Sequence, residues 1–188
     1  MYLIEATIKG LVPLRFNRFL IRTKQQTNKG KMTEEQQKED ALERSYFDEK
    51  KGFYIPKHAL RACIINGGKK VKIGRGAASK LLEAILIFED EKYYLGTKDY
   101  QIMQDVVRIP PKTGARVVQY WVVIESWQCK FSCVILDDLF PIDGVKESIQ
   151  YAGMYNGLLD GRPQFGRFEL TEFKKEEYKG KMAKIKKI

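Results

Sequence analysis

The chain is poor in the residues from which most enzyme and metal sites are built. It offers one histidine, His58, and three cysteines, Cys63, Cys129 and Cys133. None of these forms a cluster at zinc-ligand spacing, and no Ser/His/Asp triad can be proposed. Three cysteines cannot all pair internally, and each stands in an apolar pattern, which reads as reduced core residues of a cytosolic protein. There is no P-loop: the nearest approach, Lys69-Lys70-x-Lys72-x-Gly74-x-Gly76, is too loose for a nucleotide cradle. No apolar run approaches the roughly 20 residues that span a bilayer, and Met1-Tyr2-Leu3-Ile4-Glu5 lacks the charged start of a secretion signal. The expectation is a cytoplasmic protein without cofactor, metal or membrane contact.

What is present is enough apolar material for one core. Of 188 residues, 44% are hydrophobic and 12% aromatic, which suits one domain with a large insertion better than two. Lysine and arginine number 34 against 24 acids, a net charge of +10 that favours a polyanionic partner or a simply basic surface. Half of that excess lies between Lys174 and Ile188, where seven lysines face two glutamates. The expected layout is therefore a domain over residues 1–173, a polar insertion at about 23–50, and a basic tail over 174–188.

Tyr2, Ile4, Ala6 and Ile8 alternate with more polar neighbours, the period of a strand with one buried face. Gly52 to Pro56 reads as an extended approach to a helix over Lys57 to Ile65, with Leu60, Cys63 and Ile64 on one face. Asn66-Gly67-Gly68 ends that helix, and a basic, glycine-bearing loop follows to Lys80. Ala84 to Phe88 is short and apolar, predicting a buried strand that pairs with the first. Residues 97–116 read as mostly loop, with Arg108, Lys112 and Arg116 as its charges and Pro110-Pro111 as its breaker. Val117 to Ile124 predicts an extra strand. Trp127 to Leu136 carries the longest alternation and predicts a central strand. Asp143 is placed to cap a helix whose Val145, Ile149, Ala152 and Tyr155 face inward, closed by Gly157. A last strand runs from Arg167 to Phe173. Without the insertion and the extra strand, the order is βαββαβ, predicting an α+β, ferredoxin-like (RRM-like) antiparallel sheet with both helices on one face.

The connection Gly157-Leu158-Leu159-Asp160-Gly161-Arg162-Pro163-Gln164-Phe165-Gly166-Arg167-Phe168 joins the last helix to the last strand. Its glycines permit close backbone approach and its arginines supply charge, although a structural turn that happens to be basic is the competing reading. In this position the loop resembles the glycine-rich loop of the RAMP superfamily of CRISPR-associated proteins, with Gly157, Gly161, Arg162, Gly166 and Arg167 at matching places. Gly52-Phe53-Tyr54-Ile55-Pro56-Lys57-His58-Ala59-Leu60-Arg61 resembles the segment that opens the first helix of backbone subunits in that superfamily. It departs from them where Lys57-His58-Ala59 replaces a glycine and two serines. Leu11-Val12-Pro13-Leu14 is similar to the turn that ends their first strand. The layout and size also resemble stand-alone proteins encoded in phages and prophages.

Two basic loops, Lys69 to Lys80 and Gly157 to Arg167, are expected to line one groove. Lys69, Lys70, Lys72, Arg75, Gly161, Arg162, Phe165, Gly166 and Arg167 are the candidate contacts, with Phe165 or Tyr54 stacking an unpaired base. The function expected is non-catalytic binding of single-stranded RNA or DNA. The resemblance keeps two alternatives open. One is a metal-independent endoribonuclease using His58, as RNA-processing members of the superfamily do. The other is an interaction protein that self-assembles or docks on CRISPR-complex subunits. Asp40 stands at the spacing of a target-cleaving aspartate in some backbone subunits, inside a polar stretch where a solvated charge is the default.

Overall fold

A computed structural model describes residues 1–20, 32–109 and 112–180. The first strand, β1 (Tyr2–Gly10), forms where the alternation predicts it, burying Tyr2, Ile4, Ala6 and Ile8 on one face. A short β2 (Leu14–Arg15) follows. Of the polar insertion, residues 21–31 lie outside the described residues. Its described part forms one helix: α1 (Glu34–Glu43) starts at a capping box in which Thr33 and Gln36 bond each other's backbone. The pair β3 (Phe47–Asp48) and β4 (Gly52–Pro56) leads directly into α2 (Lys57–Gly67), with Pro56 as its cap. A tight turn at Gly68–Lys70 and a small hairpin, β5 (Lys72–Ile73) with β6 (Gly76–Ala77), come next. They give way to α3 (Ala78–Ile85), β7 (Leu86–Ile87) and β8 (Lys92–Tyr94). A long hairpin, β9 (Gln101–Ile109) with β10 (Ala115–Ile124), precedes β11 (Gln128–Ile135). The chain then forms α4 (Ile142–Tyr151), extended by a π-helical turn over Ala152–Asn156, and ends in β12 (Phe168–Glu177).

The central sheet has the order β12-β1-β11-β7, antiparallel throughout. That is the ferredoxin-like arrangement: the first and third strands lie inside, with α2 and α3 in the first crossover and α4 in the second. One face meets the helices. Ile4 and Ile8 of β1 and Cys129, Phe131, Cys133 and Ile135 of β11 pack with Leu60, Cys63 and Ile64 of α2 and Val145 and Ile149 of α4. Full burial of each large aliphatic side chain there is worth about 1.5–3 kcal/mol. The three cysteines are free and buried in this core, and burial pushes each thiol up to about 12.

The opposite face alternates acids with lysines. Lys130 pairs with Glu5 at 3.3 Å, and Thr7 donates to Glu172 at 2.9 Å. Of the residues β1 and β11 turn to that side, Leu3, Glu5, Thr7, Lys9, Gln128, Lys130, Ser132 and Val134, none is aromatic. These two strands therefore lack the aromatic platform on which RRM sheets stack bases.

Four expectations need correction. Ala84 and Ile85 close α3, so the strand expected at 84–88 shrinks to β7, and it pairs with β11 instead of β1. The stretch taken as loop contains β9, in register with β10 from Gln101↔Val123 to Ile109↔Ala115. Its signal is hidden because the outer half of the hairpin leaves the core, so both faces are polar or exposed and no alternation survives. Asp143 lies inside the first turn of α4, where its charge suits the helix dipole, and Pro141 takes the cap position. The last strand continues past Phe173 through Lys174 and Lys175 to Glu177, because β1 is long enough to pair it as far as Tyr2↔Glu177. Residues 181–188 of the expected tail lie outside the described residues.

Candidate nucleic-acid interface

The glycine-rich loop closes on itself and on the segment after β1. Leu158 N–H donates to the Gly166 carbonyl at 2.9 Å, Gly166 N–H to Pro13 at 2.9 Å, and Leu11 N–H to Arg167 at 2.8 Å. Gly157, Gly161 and Gly166 all have positive φ. A Cβ on Gly166 would meet the Leu158 carbonyl oxygen at 2.1 Å, and one on Gly161 would meet the Arg15 guanidinium at 2.6 Å. These glycines are spent on the loop's own packing, which is the structural reading that competed with phosphate approach.

Arg15 explains much of the loop's shape. Its guanidinium lies between the rings of Trp121 and Phe165, 4.6 Å from each centroid, and pairs with Asp160 at 2.9 Å. Phe165 is thus half-buried and already occupied on one face by a cation, while Phe168 is buried against Trp127. Tyr54, the other stacking candidate, is buried between Tyr46 and Tyr94, each at 5.7 Å, with the Lys92 ammonium 4.8 Å from its ring. A base cannot reach it. Arg162 and Arg167 remain at the surface, the latter tied by its Nε to the Pro163 carbonyl at 2.9 Å.

Lys69, Lys70, Lys72 and Arg75 are exposed on the turn and hairpin that leave α2. Gly67 brings α2 against α4 so closely that a Cβ there would meet the Ser148 carbonyl oxygen at 2.0 Å. From that crossing the chain runs back along α4, and Ile73 reaches Gly144 near its start. The β5–β6 hairpin therefore stands at one end of α4 and the glycine-rich loop at the other, about 20 Å apart at 1.5 Å per residue. Lys72 and Arg75, on the hairpin, are thus set apart from the glycine-rich loop, whereas the start of the same basic loop lies near it. Lys70 is the link, with its ammonium 5.9 Å from the ring of Tyr155. Tyr155, expected to face inward, is 51% exposed.

His58 is exposed on the first turn of α2 and meets Tyr46 edge-on at 6.3 Å. Asp40 is buried on α1 and pairs with Arg44 at 2.6 Å, the bond of a helix ion pair. Among the described residues no group of histidine, cysteine and acidic side chains could hold a metal ion. None of their helices is long and apolar enough to cross a membrane.

The β9–β10 hairpin adds a feature that the sequence hides. Its base is anchored by Trp121, Val122, Val123 and Ile124, all buried. Farther out Val106 stands opposite Val118, both exposed, and Arg108 stands opposite Arg116 on the same face. Like charges directly opposed across strands are destabilising, and neither arginine has an acidic partner among the described residues. The cross-strand register, invisible until β9 is recognised, is the signal that would have paired them.

No protein-family model matches the chain, and no curated protein matches it. Solved structures do. The chain aligns with one in the cryo-EM structure of the Type III-B Cmr-beta bound to cognate target RNA, over 94% of its own length and 61% of that chain, at 13% identity and a TM-score of 0.58. It aligns with the crystal structure of Cmr6 from Pyrococcus furiosus over 90% of its length and 98% of that chain, at 9% identity and a TM-score of 0.50. It thus spans about three fifths of the Cmr-beta chain it matches. The chain shares with these structures an α+β architecture of the ferredoxin-like kind.

Proposed function

We propose that the protein binds single-stranded nucleic acid, RNA before DNA, through its phosphate backbone and without cleaving it, as a RAMP-type subunit or a stand-alone relative of one. One observation carries this reading. Lys69, Lys70, Lys72, Arg75, Arg162 and Arg167 are exposed without an acidic partner among the described residues, whereas Arg15, Lys38, Arg44, Lys57, Lys92 and Lys130 are ion-paired. Unpaired cations repel one another until an anion arrives. Arg108 and Arg116 on the hairpin extend the same logic. The fold likeness to a complex bound to target RNA supports RNA as the first strand to test.

The test is fluorescence anisotropy with labelled single-stranded RNA, single-stranded DNA and duplex across a salt series. Log affinity is expected to fall with log salt by about 0.7 for each phosphate neutralised on a single strand. Absence of binding at low salt, or binding indifferent to salt, refutes the proposal. A role in assembly is supported by the alignment of nearly the whole chain with chains of CRISPR complexes. Light scattering distinguishes a ring or filament from a monomer. The ribonuclease reading has less behind it, since among the described residues His58 meets a tyrosine ring and no acidic or basic partner; hairpin-RNA cleavage lost in His58→Ala would restore it.

A further inference from the structure

We infer that Tyr155 and Lys70 form a stacking site for one unpaired base, a placement that rests on the nucleic-acid reading above. The local geometry begins at the π-helical turn Ala152–Asn156. Gly153 is clamped inward: a Cβ there would meet the Phe168 carbonyl oxygen at 2.1 Å. Ala152 is buried beside it. With those two positions held against the core, the wide turn delivers the next two side chains to solvent, and Met154 and Tyr155 are 54% and 51% exposed. A large aromatic and a methionine exposed side by side at an irregular helix turn are costly to leave in water, and π-turns recur at functional sites.

Tyr155 is also held in one orientation. Its ring stacks on Tyr151 with centroids 5.8 Å apart and planes 20° apart, so that Tyr151 backs one side of it. A ring already backed in this way loses little freedom when a base stacks on it. The Lys70 ammonium lies over the ring, 5.9 Å from its centroid, Lys69 precedes it, and neither has an acidic partner among the described residues. Unlike Arg15 on Phe165, which is held by Asp160, the exposed Lys70 side chain can swing off the ring to the phosphate of the nucleotide whose base takes its place on Tyr155. The strand would then continue toward Arg162 and Arg167, because Tyr155 lies two residues before Gly157, where the glycine-rich loop begins. A flat ring flanked by cations fits any unpaired base, so the site is indifferent to sequence.

The experiment uses the full chain and single-stranded oligonucleotides carrying one 2-aminopurine, whose fluorescence is quenched by stacking. Wild-type protein is expected to quench the probe on binding. Tyr155→Leu, which keeps apolar bulk at a half-exposed position, should lose the quenching and at least about fivefold in affinity, the lower end for base–aromatic stacking. Tyr155→Trp should retain both. Arg162→Gln with Arg167→Gln should weaken binding while leaving the quenching at saturation intact. If the arginine variant weakens binding but Tyr155→Leu changes neither affinity nor quenching, the stacking site is wrong and the backbone reading stands. If wild-type protein does not bind the probe at low salt, both fall together.

Discussion

Gly166→Ala separates the two roles that a glycine-rich loop can have. At Gly166 φ is +71°, and a Cβ would lie 2.1 Å from the Leu158 carbonyl oxygen and 2.7 Å from its nitrogen, backbone atoms that cannot swing aside. Left-handed backbone costs an alanine about 1–2 kcal/mol. Moving Leu158 away also loosens the bonds from Leu158 to Gly166 and from Gly166 to Pro13, each worth about 0.5–1.5 kcal/mol net. The smaller entropy of the unfolded alanine chain returns about 0.4–1 kcal/mol, leaving a loss of about 2–4 kcal/mol. Gly74 is the internal control, since its φ is +58° but nothing lies within 4 Å of its Cβ position. Gly74→Ala should cost about 1 kcal/mol or less, the backbone strain alone. Urea unfolding reads both, with midpoints separated by about 0.5 M or more at an m-value of about 2 kcal/mol/M. Equal stability losses in the two variants would refute the packing account of the loop. If Gly166→Ala folded as stably as wild type but lost oligonucleotide binding, the glycine would instead be there for phosphate approach.

Three further outcomes follow from the contacts around the loop, the hairpin and the core. Arg15→Met should cost about 1–3 kcal/mol through loss of the Trp121–Phe165 stack and the Asp160 pair. Arg15→Lys should not restore it, because an ammonium lacks the planar surface; a wild-type melting temperature for Arg15→Lys would contradict this. Arg108→Glu should stabilise the hairpin by about 0.2–1 kcal/mol by turning a like-charge pair with Arg116 into an attractive one. The same change should weaken oligonucleotide binding, so thermal unfolding and anisotropy must move in opposite senses. The thiols of Cys63, Cys129 and Cys133 are raised from an ordinary 9.0 to about 12 by burial. The native protein should therefore react slowly with a thiol reagent at pH 8. Stability should be unaffected by these groups below pH 9 and should fall as pH rises from there toward 12, because the unfolded chain releases protons that the fold retains.

The sheet and its two crossovers were legible because β1 and β11 have one face in the core and one outside, so their apolar residues keep period two. The same rule hid β9. Where a hairpin leaves the core, the pattern that marks strands loses its cause, and only the pairing of Arg108 with Arg116 and Val106 with Val118 makes the hairpin's chemistry visible. The glycine-rich loop was legible as a place that required glycine, but its reason was not, since the groups that crowd a side chain there include Arg15, and the loop is held by a bond from Gly166 to the Pro13 carbonyl, both far away in the chain. Phe165 shows the same limit: an aromatic beside two arginines reads as a base platform until a third arginine from β2 is found stacked on it. Tyr155 errs in the other direction. Its spacing from Ile149 and Ala152 puts it on the inner face of a regular helix, and only the π-turn rotates it into solvent. Charge and glycine content therefore mark a basic surface, while packing decides the exposure of its aromatic rings, half-burying Phe165 under Arg15 and leaving Tyr155 51% exposed.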